Sequence, residues 1–270
     1  MQSPRDIEAL LDHFVGRTEA LARVTRYSLY DVMFYRSDLV THSKHVCWIV
    51  TAMAPYVKLA FPAFELAKAQ LAALVHDDAE IITGDEQMGN KLKMTQRQLD
   101  ELANRERRAI AELAARFPEF VGPYRYRDLL DSVHSVDCIE AIVVKFADKM
   151  DAFGEALHEV FGGNPVFATN VTNQYGTITT PFEYYIPYLG SFPQQFPQLT
   201  LLFENDFPLF QAPTVLDFAA IARRSRPHTV ESLRQKTGYR HYDCWKEIIQ
   251  HYADEEELNN LSIQKEFPIH

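Results

Sequence analysis

An all-α fold with an aromatic-rich, partly helical C-terminal extension is what this sequence predicts, on three observations. Apolar residues recur three and four positions apart through the long segments up to about residue 161. Capping residues precede those segments, and glycine or proline follows them. Beyond Gly162, Gly163, Asn164 and Pro165 the composition shifts to Pro, Phe, Tyr and Gln. A core of residues 1–164 and an extension of residues 165–270 are expected.

Pro4 at a first turn, followed by Ile7, Leu10, Leu11 and Phe14, predicts an amphipathic helix that pauses near Gly16 and resumes through Leu21 to Val24. Tyr27 to Arg36 has no helical rhythm and is expected to be irregular. Ser37 or Asp38 can cap the next helix, LVTHSKHVCWIVTAMAPYV, expected to end about Pro55. On its wheel His42 sits amid Leu39, Val46, Ile49, Val50 and Met53, whereas His45 lies on the flank as a surface or outer group. A buried imidazole needs partners for its nitrogens, so His42 is a hydrogen-bonded core residue or a metal ligand.

The stretch Leu71 to Asp85, LAALVHDDAEIITGD, is expected to be one helix stopped by Thr83 and Gly84. Phe64, Ala67, Leu71, Leu74, Val75 and Ile82 fall on its packing side. Ala69, Ala73, His76, Asp77 and Glu80 gather opposite, where small alanines let a neighbouring helix come close. A polar loop, EQMGNKLK, follows. Thr95 then caps a long helix with a stripe of Leu99, Leu102, Ala109, Ile110, Leu113 and Phe117, closed by Pro118. After a turn-rich passage and a short helix about 129–134, a second core helix is expected over 136–161. Asp148 lies inside that run. It pairs with Lys145 or Lys149 at the surface, or it faces inward against a cation. Residues 165–213 show few regular periods and are expected to wrap the body or form an interface. Helical pieces are expected about 215–223, 230–236 and 242–258, with no chemical motif among them.

Composition narrows the function. The chain is 47% hydrophobic and 24% charged, ordinary for a globular protein. Its net charge is -10, from 37 acidic against 27 basic residues, which disfavours long nucleic acids but leaves room for a small phosphorylated ligand in a locally basic pocket. Cys47, Cys138 and Cys244 are widely spaced and suggest reduced thiols. No membrane-spanning run or signal-peptide layout is visible, so a cytoplasmic location is expected.

A lone His-Asp dipeptide is usually a solvated helix end. Here it has company: His42, His76, Asp77 and Asp148 come from three helices and make a mixed nitrogen and oxygen set suited to one divalent ion, Mn, Co, Fe, Ni, Zn or Mg.

HSKHV at 42–46, HDDAEIITGD at 76–85 and VKFADKMDA at 144–152 resemble the successive motifs of the HD-domain phosphohydrolases. The likeness is to the bacterial 5'-deoxynucleotidase branch, which includes phage deoxynucleotide phosphohydrolases, and it spans about residues 20–160. It implies an HD-domain helical bundle and a hydrolase of (deoxy)nucleoside 5'-monophosphates, with His42, His76, Asp77 and Asp148 as metal ligands. It further implies that Glu80 and Asp85 orient the attacking water and assist at the phosphate, that Arg26 contacts phosphate, that Tyr27 lies against the sugar and that Lys91 binds substrate. Two departures stand out: EQMGN follows the Gly-Asp where a proline-containing segment is usual, and Tyr27 stands where the bacterial enzymes have tryptophan. The alternatives are a deoxynucleoside triphosphate triphosphohydrolase, a di-iron HD oxygenase, for which only His134 lies in the required interval, and a nucleotide-binding regulator without turnover. The aromatic tail suits a homo-oligomer interface and burial in a monomer equally.

Overall fold

The computed structural model describes residues 3–200, 210, 217–224 and 240–261. Its helices are α1 (Pro4–Glu8), α2 (Arg17–Leu21), α3 (Leu39–Ala60), α4 (Leu66–Val75), α5 (Glu80–Thr83), α6 (Met88–Lys91), α7 (Gln96–Arg116), α8 (Tyr126–Ser135), α9 (Ile139–Phe161), α10 (Pro181–Gln195), α11 (Phe218–Arg224), α12 (Arg240–Tyr252) and α13 (Glu255–Leu261). The strands are two short antiparallel hairpins. Phe120–Val121 (β1) pairs with Tyr124–Arg125 (β2), and Val171–Asn173 (β3) with Gly176–Ile178 (β4). The expected helical class is what is found.

Helices α3, α4 and α9 pack on one another and form the centre. Asp38 starts α3 by accepting from the Thr41 N–H. Its buried stripe of Val46, Ile49, Val50 and Met53 meets α4, where Ala69, Ala72 and Ala73 are buried and short enough to let the two backbones approach. Around α9 every residue from Glu140 to Phe161 is buried except Lys145 and Lys149. A helix enclosed on all sides is normally apolar all round. This one carries Asp148, Asp151, Glu155 and Glu159 at helical spacing, and their partners explain it. Glu159 accepts from the backbone N–H groups of Phe34 (2.9 Å) and Tyr35 (2.8 Å), and Glu155 from Arg26 (2.7 Å) and Ser37. The irregular 26–37 crossing is thus hydrogen-bonded to the acidic stripe of α9.

Several elements differ from expectation for identifiable reasons. The 71–85 stretch is not one helix: α4 ends at Val75, and α5 begins at Glu80 after a tight turn. The Asp78 N–H bonds Val75 O (3.0 Å), leaving Leu74 O to accept from Arg17. The Asp78 carboxylate is held by Arg17 and Tyr126. Ile82, expected to pack, is consequently exposed. Helix α3 does not stop at Pro55 but runs to Ala60, because Val57 still has a place in the core. The polar segment 86–93 contains α6, with Gly89 and Asn90 buried. In the stretch expected to be irregular, β3–β4 and the 15-residue α10 form; Pro181 starts α10, and Pro187 and Pro193 inside it mask its period. Its buried face, Phe182, Tyr185, Leu189 and Phe192, packs along α9. The expected piece at 230–236 lies outside the described residues, and the 242–258 piece is two helices, α12 and α13. No disulfide joins Cys47, Cys138 and Cys244. Among the described residues, no helix is long and apolar enough to cross a membrane.

Candidate metal centre and its cavity

The three central helices deliver four side chains to one point. His42 comes from the first turn of α3, His76 and Asp77 from the turn that ends α4, and Asp148 from the middle of α9. His42 Nε2 lies 3.4 Å from Asp77 Oδ2 and 3.3 Å from Asp148 Oδ1. His76 Nε2 lies 3.2 Å from Asp77 Oδ2 and 4.0 Å from Asp148 Oδ1. Donor atoms of His42, His76 and Asp148 fall within 4.8 Å of one another.

The tautomers suit a cation. His76 Nδ1 is 2.7 Å from Ala73 O, so that nitrogen carries the proton and donates it to the carbonyl. Its Nε2 is buried and has no hydrogen-bond partner among the described residues, despite its nearness to Asp77. His42 donates from Nδ1 to Asp151 Oδ2 at 2.7 Å, turning Nε2 toward the carboxylates. An unpartnered buried nitrogen among carboxylate oxygens is costly unless something positive sits there. The residues present therefore fit a divalent ion, with nitrogen and oxygen donors of the kinds such ions accept.

Charge is finely divided around this point. Burial pushes the Asp77 carboxyl up, but His76 and His42 outweigh it and hold Asp77 below the usual carboxylate range. Burial likewise opposes ionisation of Asp148, and it is overcome by Lys149, whose Nζ donates at 2.6 Å, and by His42. Glu80 behaves in the opposite way. Burial first, then Asp77 and Asp85, raise its carboxyl well above normal, and its Oε2 has no hydrogen-bond partner among the described residues. Asp85 is also raised by burial, with Arg26 acting against it. Lys145 is brought down to about 8 by burial and by Lys149, against the pull of Asp148.

A cavity of about 510 Å³ opens over the cluster, a volume typical of small-ligand sites. Every residue singled out from the sequence lines it: Arg26, Tyr27, His42, His76, Asp77, Glu80, Asp85, Lys91 and Asp148. Arg26 is buried and shares one guanidinium nitrogen between Glu155 and Ser37, so it is not a solvated helix end. Tyr27 adopts φ 53°, uncommon without glycine, and its hydroxyl donates to Ala152 O at 2.5 Å. Lys91 is half-exposed and 3.7 Å from Glu106. His134 also lines the cavity but pairs with Glu106 (3.5 Å) and is not part of the His42, His76 and Asp148 group.

Sequence reasoning missed part of the site. Lys145 and Lys149, read from the sequence only as surface partners of Asp148, are the partly exposed residues of α9 after Ile139 and line the cavity, and Tyr184, Tyr185 and Tyr188 of α10 supply another wall. Asp151, three residues after Asp148 and on the same helical face, was legible by spacing alone. Of the two expectations for His45, surface or outer group, the second is found: it is fully buried behind His42, with Asp151 between them. It donates from Nδ1 to Asp151 (3.1 Å) and from Nε2 to Glu257, and these carboxylates lift it to about 10 against the effect of burial.

Comparison with known proteins places this geometry in context. A family model described as 5'-deoxynucleotidase YfbR-like matches residues 13–194. Among solved structures, a predicted metal-dependent phosphohydrolase from Magnetospirillum magnetotacticum MS-1 is similar at 18% identity and a TM-score of 0.45, over 88% of this chain and 97% of that one. A conserved hypothetical protein from Pyrococcus furiosus is similar at 19% identity and a TM-score of 0.40, over 57% of this chain and 81% of that one. No curated protein matches.

Proposed function

The chain belongs to the YfbR-like 5'-deoxynucleotidase family, and from that premise we propose that it hydrolyses the phosphate ester of a (deoxy)nucleoside 5'-monophosphate with the help of one divalent ion. The observation that carries this reading is the convergence of His42, His76, Asp77 and Asp148 beneath a cavity whose wall also holds Glu80, with its Oε2 unpartnered among the described residues. Bound at those four side chains, a divalent ion supplies Lewis acidity toward a phosphate oxygen and acidifies water.

The protein's own groups do the rest. Glu80 stands close to the ligand cluster, and its raised pKa suits it to take a proton from the attacking water and return it later. Asp85 flanks the same space and assists at the phosphate. Arg26, Lys91 and Lys145 bring positive charge to the cavity wall, where the ester oxygens need neutralising. Tyr27 on one side and Tyr184, Tyr185 and Tyr188 on the other offer aromatic surface to a sugar and base.

The test is a panel of ribo- and deoxyribonucleoside mono- and triphosphates with Mn, Co and Mg, products separated by chromatography. Inorganic phosphate and a nucleoside from monophosphates are expected. Triphosphate release would favour the triphosphohydrolase reading. Metal binding without any turnover would favour a nucleotide-binding regulator, and two irons per chain a di-iron oxygenase.

A further inference from the structure

Helices α12 and α13 lie beyond the residues matched by the family model, yet they reach the candidate metal centre from behind. Trp245 of α12 donates its indole N–H to Asp151 Oδ1 at 2.8 Å. Glu257 of α13 bonds His45 Nε2, and His45 Nδ1 donates to the same Asp151 Oδ1. Asp151 Oδ2 in turn accepts a hydrogen bond from the Nδ1–H of His42. Trp245, His45 and Asp151 are each fully buried.

We infer that Trp245 and Glu257 are positioning residues for the ligand His42, acting through Asp151 and His45, so that α12 and α13 form the outer shell of the metal site. The inference rests on the metal-site reading above.

The geometry makes the carboxylate plane of Asp151 a fixed object. Two N–H donors occupy Oδ1, one from each side of the network, and this leaves Oδ2 aimed at His42. A proton held on His42 Nδ1 keeps Nε2 unprotonated and pointed at Asp77 and Asp148, the only tautomer that can ligate a cation from that side. The seat for Trp245 is built into α9. Gly154 lies under the indole, and a Cβ there would overlap the ring. Only a residue without a side chain lets Trp245 approach α9 closely enough to reach Asp151. Carboxylate partners of ligating histidines matter for affinity: their loss weakens metal binding by about 10- to 100-fold.

The experiment uses the full chain and Co²⁺ as the probe. Trp245→Phe keeps an aromatic ring in the seat and removes the N–H donor. Co²⁺ affinity is measured by calorimetry, coordination by visible absorption, and folding by melting of the metal-free protein. The expected result is a Kd raised about 10-fold or more and an altered absorption band. Ile249→Val, a buried α12 residue outside the network, serves as control and is expected to lower the melting temperature without changing Kd. Wild-type affinity and spectrum in folded Trp245→Phe would overturn the inference.

Should Trp245→Phe fail to fold, Asp151→Asn carries the same test. Its amide oxygen stays with the Trp245 and His45 donors, so its NH₂ faces His42 Nδ1 and forces the proton onto Nε2. Loss of Co²⁺ binding is expected, and unchanged binding would equally overturn the inference. A wild-type protein that binds no Co²⁺ would instead defeat the metal-site reading itself.

Discussion

Replacing Arg17 with methionine should destabilise the protein severely, although residue 17 is absent from the cavity wall. Arg17 meets Asp78 with two hydrogen bonds, 2.7 Å to Oδ2 and 2.6 Å to Oδ1, and also caps Leu74 O. Tyr126 donates to Asp78 Oδ2 at 2.6 Å, and Asp78 itself is fully buried. Burial works against the charge on Arg17, but Asp78 more than compensates and raises its pKa above the ordinary value. Without the guanidinium, Asp78 keeps only the tyrosine, and a buried charge deprived of its partner costs about 3–5 kcal/mol. With a urea slope of about 3 kcal/mol per M, the unfolding midpoint should fall by about 1 to 1.7 M. Circular dichroism during urea titration reads this directly. The triple variant Arg17→Met, Asp78→Leu, Tyr126→Phe should recover most of the loss, because no charge is then left buried. A midpoint within about 0.3 M of wild type in Arg17→Met would refute the reasoning, since that corresponds to no more than about 1 kcal/mol at the same slope. Phosphate release should also fall in the folded fraction of Arg17→Met, because Asp78 adjoins Asp77 in the turn that presents His76 and Asp77 to the candidate metal centre.

Three other outcomes are expected. Glu80→Gln should lower kcat by about 10²- to 10⁴-fold while leaving metal content intact, which metal analysis beside steady-state kinetics would check. Lys145, lowered to about 8, is charged below that pH and neutral above it, so wild-type KM should rise as pH passes through 8. In Lys145→Met the KM should already be about 10- to 150-fold higher, from loss of a charged hydrogen bond worth about 1.5–3 kcal/mol, and should vary little over the same range; identical KM profiles would remove Lys145 from the site. Gly154→Ala should cost about 1–3 kcal/mol by thermal or urea unfolding, since the added methyl meets the Trp245 ring.

Much of the centre was legible in the sequence because local chemistry and tertiary packing agree there. The stripe of α3 places His42 on the buried side, the alanines of α4 mark close approach, and Thr95 starts α7 with the capping box its Gln98 completes. What failed, failed where a distant residue decides. The break after Val75 depends on Arg17 and Tyr126, far away in the chain: Arg17 takes the Leu74 carbonyl that the turn leaves without its helical partner, and both hold the Asp78 carboxylate. For His45 the wheel left surface and outer positions open, and the choice between them is made by α12 and α13, which cover it. Helix α10 was obscured because its two internal prolines argue against a helix that aromatic burial nevertheless sustains. Trp245 left no signal at all, since nothing in a lone tryptophan announces a carboxylate partner 94 positions away.

The four inward-facing donors come from helices that neighbour one another only after the chain has collapsed, so the unfolded polypeptide has nothing comparable to offer an ion. Occupancy therefore reports on the native population: an ion at a hundred times its Kd adds about 2.7 kcal/mol to the folded side of the balance. Changes that merely slacken the α3, α4 and α9 contacts should first register as weaker ion retention and faster proteolysis in chelator, well before any spectroscopic sign of unfolding.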